Sequence, residues 1–99
     1  MKNTKMKLIK NNMTYTDVDY EIMKNDFEII EIYQGSLVDE IFTYDHTNEK
    51  YFVYLEKYKN PWSSVLSKYE INENDFYKMI DDYDQKYEIY ENIDEYDEK

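Results

Sequence analysis

Between Phe27 and Tyr58 the chain carries three runs of β-branched and aromatic residues, joined by links too short for anything but hairpins. Phe27 to Tyr33 is the first run, Val38 to Tyr44 the second and Tyr51 to Tyr58 the third. The chain's one glycine, Gly35, sits with Ser36 in the first link, and the polar stretch Asp45 to Lys50 makes the second. A parallel crossover takes about a dozen residues or more, so the three strands are expected to form an antiparallel meander. Such a sheet buries one face and leaves the other to water. Asn60-Pro61 ends the third strand, because proline has no N–H to give to a ladder.

Helical signals flank the meander. Thr16 followed by Asp19 predicts a capped helix over 17–25, with Val18, Ile22 and Met23 facing the core. Trp62 to Tyr69 reads as a further short helix capped by Ser63 or Ser64. Asn72 or Asn74 then caps a longer one, in which Phe76, Met79, Ile80, Tyr83, Tyr87 and Tyr90 recur at intervals of 3, 1, 3, 4 and 3. That is an amphipathic stripe suited to packing on the sheet. The expected fold is therefore α+β. It has a short N-terminal helix, a three-stranded antiparallel sheet, and one or two C-terminal helices packed on it. Residues 1–99 form a single domain in this reading. Residues 1–13, with a short apolar patch of Met6, Leu8 and Ile9, read either as a flexible basic tail or as an added edge strand, and 94–99 are expected to fray.

A chain of 99 residues has little core to spare, and this one fills it with 13 Tyr, 4 Phe and 1 Trp and no alanine at all. Tyrosine suits both core and surface because its body is apolar and its tip polar. Charge is the strongest compositional signal: 12 Lys face 23 Asp and Glu, a net charge of −11. Residues 1–13 hold four lysines and no acid, residues 14–69 eleven acids against five lysines, and residues 70–99 twelve acids against three. A field of that sign repels nucleic acid and anionic membrane and attracts basic surfaces. No run approaches the roughly 18 apolar residues of a membrane span. The basic N-terminal stretch lacks the apolar region of a secretory signal, and cysteine is absent. A cytoplasmic protein is expected. The many Lys, Asn, Ile and Tyr residues follow AT-rich codons, as in a low-GC bacterium, its phages or its plasmids.

Little in the sequence converges on catalysis, and the expectation is a protein that is not an enzyme and takes no cofactor or metal. His46 lies in the second hairpin link and reads as a solvated turn residue. No phosphate-cradling glycine loop or nucleophile elbow is present. Asp17-Val18-Asp19-Tyr20-Glu21 begins like a calcium loop, but Ile22 stands where the sharp turn needs glycine.

The last helix carries a second stripe. Asp81, Asp84, Glu88, Glu91 and Glu95 fall at intervals of 3, 4, 3 and 4, on one side of the helix. They extend over about 21 Å, a length in which one strand of duplex DNA presents about six phosphates. Like charges at this spacing repel by a few tenths of a kcal/mol per pair. A basic partner accounts for them better than helix stability does. The candidate contact residues are Asp81, Asp84, Glu88 and Glu91, flanked by Asp75 and Asp82. A second acidic group, Asp39, Glu40 and Asp45, borders the hairpins.

The segments Lys59-Asn60-Pro61-Trp62 and Asn74-Asp75-Phe76-Tyr77, with the expected order of helix, three strands and helices, resemble small type II-A anti-CRISPR proteins. The resemblance covers barely a tenth of the chain. It implies an inhibitor whose loop and last-helix carboxylates meet the lysines and arginines with which a CRISPR nuclease reads DNA. The expected function is an acidic mimic of nucleic acid that binds a basic, nucleic-acid-binding nuclease of host defence, without binding nucleic acid or membrane itself. The alternative is an immunity protein or antitoxin that plugs a basic bacterial toxin.

Overall fold

The computed structural model describes residues 6–35 and 37–83. Its elements are β1 (Met6–Lys10), α1 (Tyr15–Asn25), β2 (Glu28–Gln34), β3 (Val38–Asp45), β4 (Lys50–Asn60) and β5 (Ser63–Ile71). A second helix, α2, runs over 73–83, up to the last described residue. All strand pairs are antiparallel, in the order β1-β5-β4-β3-β2. The fold is α+β, but the sheet has five strands and not the three expected.

Two segments account for the difference. Met6–Lys10 is an edge strand, the second of the two readings of the N-terminal stretch. Residues 62–69 are not a helix: Pro61 and Trp62 form a turn, and Ser63–Ile71 returns as β5 in the interior of the sheet. Asn60 Oδ1 accepts a 2.8 Å bond from the Trp62 N–H, which closes that turn. In β5, Val65, Tyr69 and Ile71 face one side and Leu66 and Lys68 the other, with Leu66, Ser67, Lys68 and Ile71 buried. Burial of a serine and a lysine hides the period of two that would have betrayed the strand.

The helices cover opposite faces. On one, Val18 and Ile22 of α1 pack with Tyr54, Leu66 and Ile41. On the other, Phe76 and Ile80 of α2 pack with Tyr33, Phe42, Val53, Leu55 and Ile71. This second layer is aromatic: Phe42 meets Phe76 edge-on at 5.3 Å, and Tyr33 stacks on Tyr83 at 4.8 Å. Asn72 caps α2 as expected. Its Oδ1 accepts from the Asp75 N–H at 2.9 Å, and its amide donates to Asp75 Oδ2 at 2.9 Å. Of the expected apolar stripe, Phe76 and Ile80 are buried and Met79 and Tyr83 half-buried, while Tyr87 and Tyr90 lie outside the described residues.

Helix α1 starts earlier than its expected cap. Thr14 and Asp17 form the capping box, each side chain paired with the other's backbone N–H at 3.0 Å. Thr14 to Asp17 repeats the spacing of Thr16 to Asp19, so the sequence offers two frames. Val18 and Glu21 are the buried positions of the helix, and Ile22 is half-buried. Met23, five residues beyond Val18, is rotated by about 140° on the helix and is 80% exposed, not part of the core. Asp26 ends the helix in the left-handed region at φ 56°.

Candidate functional site: the β2–β3 and β4–β5 end of the sheet

The register of the sheet decides which acids meet, here half-buried Asp39 and buried Glu56. Asp39 and Glu56 are directly opposed on β3 and β4, on the α1 face. Tyr58, two residues along β4, donates from its hydroxyl to Asp39 Oδ2 at 2.7 Å and approaches Glu56 Oε1 at 3.2 Å. Glu56 Oε1 also accepts from the Tyr15 hydroxyl in the first turn of α1, and Glu56 Oε2 accepts from Ser64 Oγ at 2.5 Å. Asp39 Oδ1 accepts from the Gly35 N–H at 3.1 Å. A Cβ at Gly35 would lie 3.0 Å from the Val38 carbonyl oxygen, so the close approach of this loop explains the glycine.

Five side chains from four elements thus form one cluster of two carboxylates and three hydroxyls. Among the described residues neither carboxylate forms an ion pair. The hydrogen bond to Asp39, then burial and Glu56, push the Tyr58 phenol up. Burial, then Glu56, does the same to Tyr15. Both phenols therefore remain donors across the physiological range, and they spread the negative charge without cancelling it.

Apolar groups border the cluster. Trp62, two residues before Ser64 at the tip of the β4–β5 hairpin, is 90% exposed. Leu37, whose carbonyl accepts from the Tyr58 N–H at 3.0 Å, and Tyr15 are exposed as well.

The other expected contact residues are placed differently. Asp45 is buried and closes the β3–β4 hairpin, accepting from the Thr47 and Asn48 N–H groups at 3.0 and 3.2 Å and from the Asn48 amide at 2.8 Å. Burial opposes its charge, but these bonds prevail and hold it below the usual carboxylate range. Glu40 is buried on the opposite face from Asp39, so the second acidic group is not one surface. Asp81 and Asp82 are exposed on α2, and Asp75 is half-buried beside the Asn72 cap. Asp84, Glu88 and Glu91 lie outside the described residues, as does Glu95. Sequence reasoning named Asp39 but missed Glu56, Tyr58, Tyr15, Ser64 and Trp62. Glu56, Tyr58 and Tyr15 meet Asp39 only once β3, β4 and α1 are packed, and Ser64 joins them only through β4–β5 pairing, in a segment the sequence predicts as helix.

Glu40 has its own chemistry. Tyr83 on α2 donates to its Oε2 at 2.5 Å, and among the described residues Oε1 has no hydrogen-bond partner. Burial raises the Glu40 carboxyl above its ordinary range, against the effect of the Tyr83 bond. A raised folded value means that the acid's contribution is fully present below the ordinary carboxylate pKa and fades as pH rises through the folded one. Relative to the native protein, Glu40→Gln should therefore gain about 1–2 kcal/mol at pH 8 and nothing at pH 4. Urea unfolding of both proteins at the two pH values measures this, and an identical difference at both would contradict it.

His46 lies in the β3–β4 hairpin, 2.7 Å from Glu28 Oε1 and edge-on to Tyr44, and exposed to solvent. Among the described residues no three His, Asp or Glu side chains form a metal-holding group, and no helix is long and apolar enough to cross a membrane. A cleft of about 550 Å³ between the β1–α1 link and α1 includes Lys10 and Lys24, but Lys10 is tied to Glu21.

Compared with protein-family models, with curated proteins and with solved structures, the chain matches none of them. The element order behind the likeness to anti-CRISPR proteins is not the order in the structure. Lys59-Asn60-Pro61-Trp62 spans the end of β4 and a hairpin turn, and Asn74-Asp75-Phe76-Tyr77 is the first turn of α2.

Proposed function

We propose that the protein binds a basic, nucleic-acid-binding protein, a nuclease of host defence, and blocks its nucleic-acid groove. The observation that carries this reading is the meeting of half-buried Asp39 and buried Glu56, without an ion pair among the described residues, near exposed Trp62, Leu37 and Tyr15, on a chain of net charge −11. Carboxylates provide steering and register for a cationic surface, and exposed aromatics provide the desolvated anchors that hold it. A second reading, an immunity protein that plugs a toxin's cationic active site, is supported by the compactness of the cluster: two opposed carboxylates suit a pocket better than an extended phosphate track.

Immobilised protein challenged with lysate of a low-GC bacterium tests the proposal. A nucleic-acid-binding protein should be retained, be displaced by duplex DNA, and lose roughly a hundredfold in affinity between about 50 and 200 mM salt. A retained protein that salt releases but DNA does not displace would favour the toxin reading. Retention indifferent to both would remove the charge-based case.

A further inference from the structure

We infer that the two edges of the sheet fit each other, so that β1 of a second copy of this chain adds antiparallel to β2 of the first. This inference stands apart from the proposed function. Among the described residues both edges are unpaired, since β1 and β2 end the strand order. Their sequences are complementary residue for residue: Lys7-Leu8-Ile9-Lys10 on β1, Glu28-Ile29-Ile30-Glu31 on β2. Antiparallel alignment opposes Lys7 to Glu31 and Lys10 to Glu28.

The faces agree too. The register breaks between Leu8 and Lys10 in β1 and between Ile29 and Glu31 in β2, so each strand carries one irregular residue in the same place. Lys7 and Lys10 consequently share the α1 face, opposite Glu70 and Lys68 of β5. Glu28 and Glu31 share the α2 face, opposite Tyr44 and Phe42 of β3.

Within one sheet β1 and β2 run in the same direction, being four antiparallel steps apart. Antiparallel addition therefore turns the second copy over, and its α1 face continues the α2 face of the first. Lysines then meet glutamates on one side. On the other side Met6 and Leu8 meet Ile29 and Ile32. Leu8, Ile29 and Ile32 are 50%, 46% and 52% exposed, left open by α1 and α2. Opposite charges and apolar pairs are the two kinds of cross-strand contact that stabilise a ladder.

The contact is heterologous, so each added copy leaves a new free edge, and growth is open-ended. The net charge of −11 opposes it at low salt. At about 0.15 M salt the screening length falls to about 8 Å, and the pairs in contact outweigh the distant repulsion.

Sedimentation velocity from about 10 µM to about 1 mM at that ionic strength tests this. The native protein should sediment faster as concentration rises. Lys7→Glu and Glu31→Lys each set like charges opposite one another within a homotypic contact, and should weaken association roughly tenfold. Neither residue has a polar partner in the described structure whose loss would disturb the fold. An equimolar mixture of the two variants restores opposite charges at every contact and should associate like the native chain. A native protein that stays monomeric throughout overturns the inference, as do variants that associate unchanged or a mixture that fails to recover.

Discussion

Glu21→Gln will destabilise the protein by about 3–5 kcal/mol, a large fraction of the roughly 5–15 kcal/mol typical of a domain. Glu21 is buried in α1 against the sheet and is shared by three donors. Lys68 Nζ lies 3.0 Å and the Tyr54 hydroxyl 2.9 Å from its Oε1, while Lys10 pairs with Oε2. Burial opposes the charge, but the bonds from Lys10, Lys68 and Tyr54 prevail and hold the carboxyl below its usual range. Lys68 has a side chain only 9% exposed, and its ammonium lies 4.3 Å from the Phe52 ring centre, 5.4 Å from Phe27 and 5.8 Å from Tyr54.

With Gln at 21, Lys68 must either stay charged among three rings or give up its proton. Either way the loss of the counter-ion carries the cost. The rings return part of this by cation–π attraction. Adding Lys68→Met removes the stranded charge and should recover most of the loss. Urea unfolding of the two variants at pH 7 decides the matter. A Glu21→Gln protein within about 0.5 kcal/mol of native would mean that the pair carries no structural weight. Because Glu21 is held low, its contribution is present above the ordinary carboxylate pKa and is lost as pH falls through the depressed value.

Trp62→Ala should do the reverse, sparing the fold and damaging recognition. The ring is 90% exposed, and the turn beneath it is set by Pro61 and by the Asn60 side chain, not by the indole. Stability should change by no more than about 0.5 kcal/mol. Affinity for a captured partner should fall about 30-fold or more, the cost of truncating an aromatic anchor worth about 2 kcal/mol. Calorimetric titration against the partner, with thermal unfolding of the free variant as control, separates the two effects. Unchanged affinity would move the contact surface away from this end of the sheet. A lowered unfolding temperature would make Trp62 a structural residue.

The two predictions rest on features that the sequence discloses unequally. The meander from Glu28 to Asn60 was legible, because β-rich runs joined by short links leave the chain no other course. The start of α2 was legible too, since Asn72 satisfies the Asp75 N–H, one of the helix's first donors, from only three residues away. Local chemistry of that kind is written in local sequence.

The strand β5 and the two-sided burial of the sheet were not. A segment containing Ser67 and Lys68 enters the interior only because Glu21, 47 residues away in sequence, meets the lysine there. Nothing near Lys68 announces the partner. The same holds for Asp39 and Glu56, which are opposed only once β3 and β4 are in register. The sequence by itself determined the α+β class, the antiparallel meander, the N-terminal cap of α2 and the acidity. Tertiary structure alone decided which charges are paired inside, which acids meet without an ion pair, and which strands end the sheet among the described residues. The reason is physical: propensity and capping act over a few residues, whereas the cost of a buried charge depends on whichever distant element is packed against it.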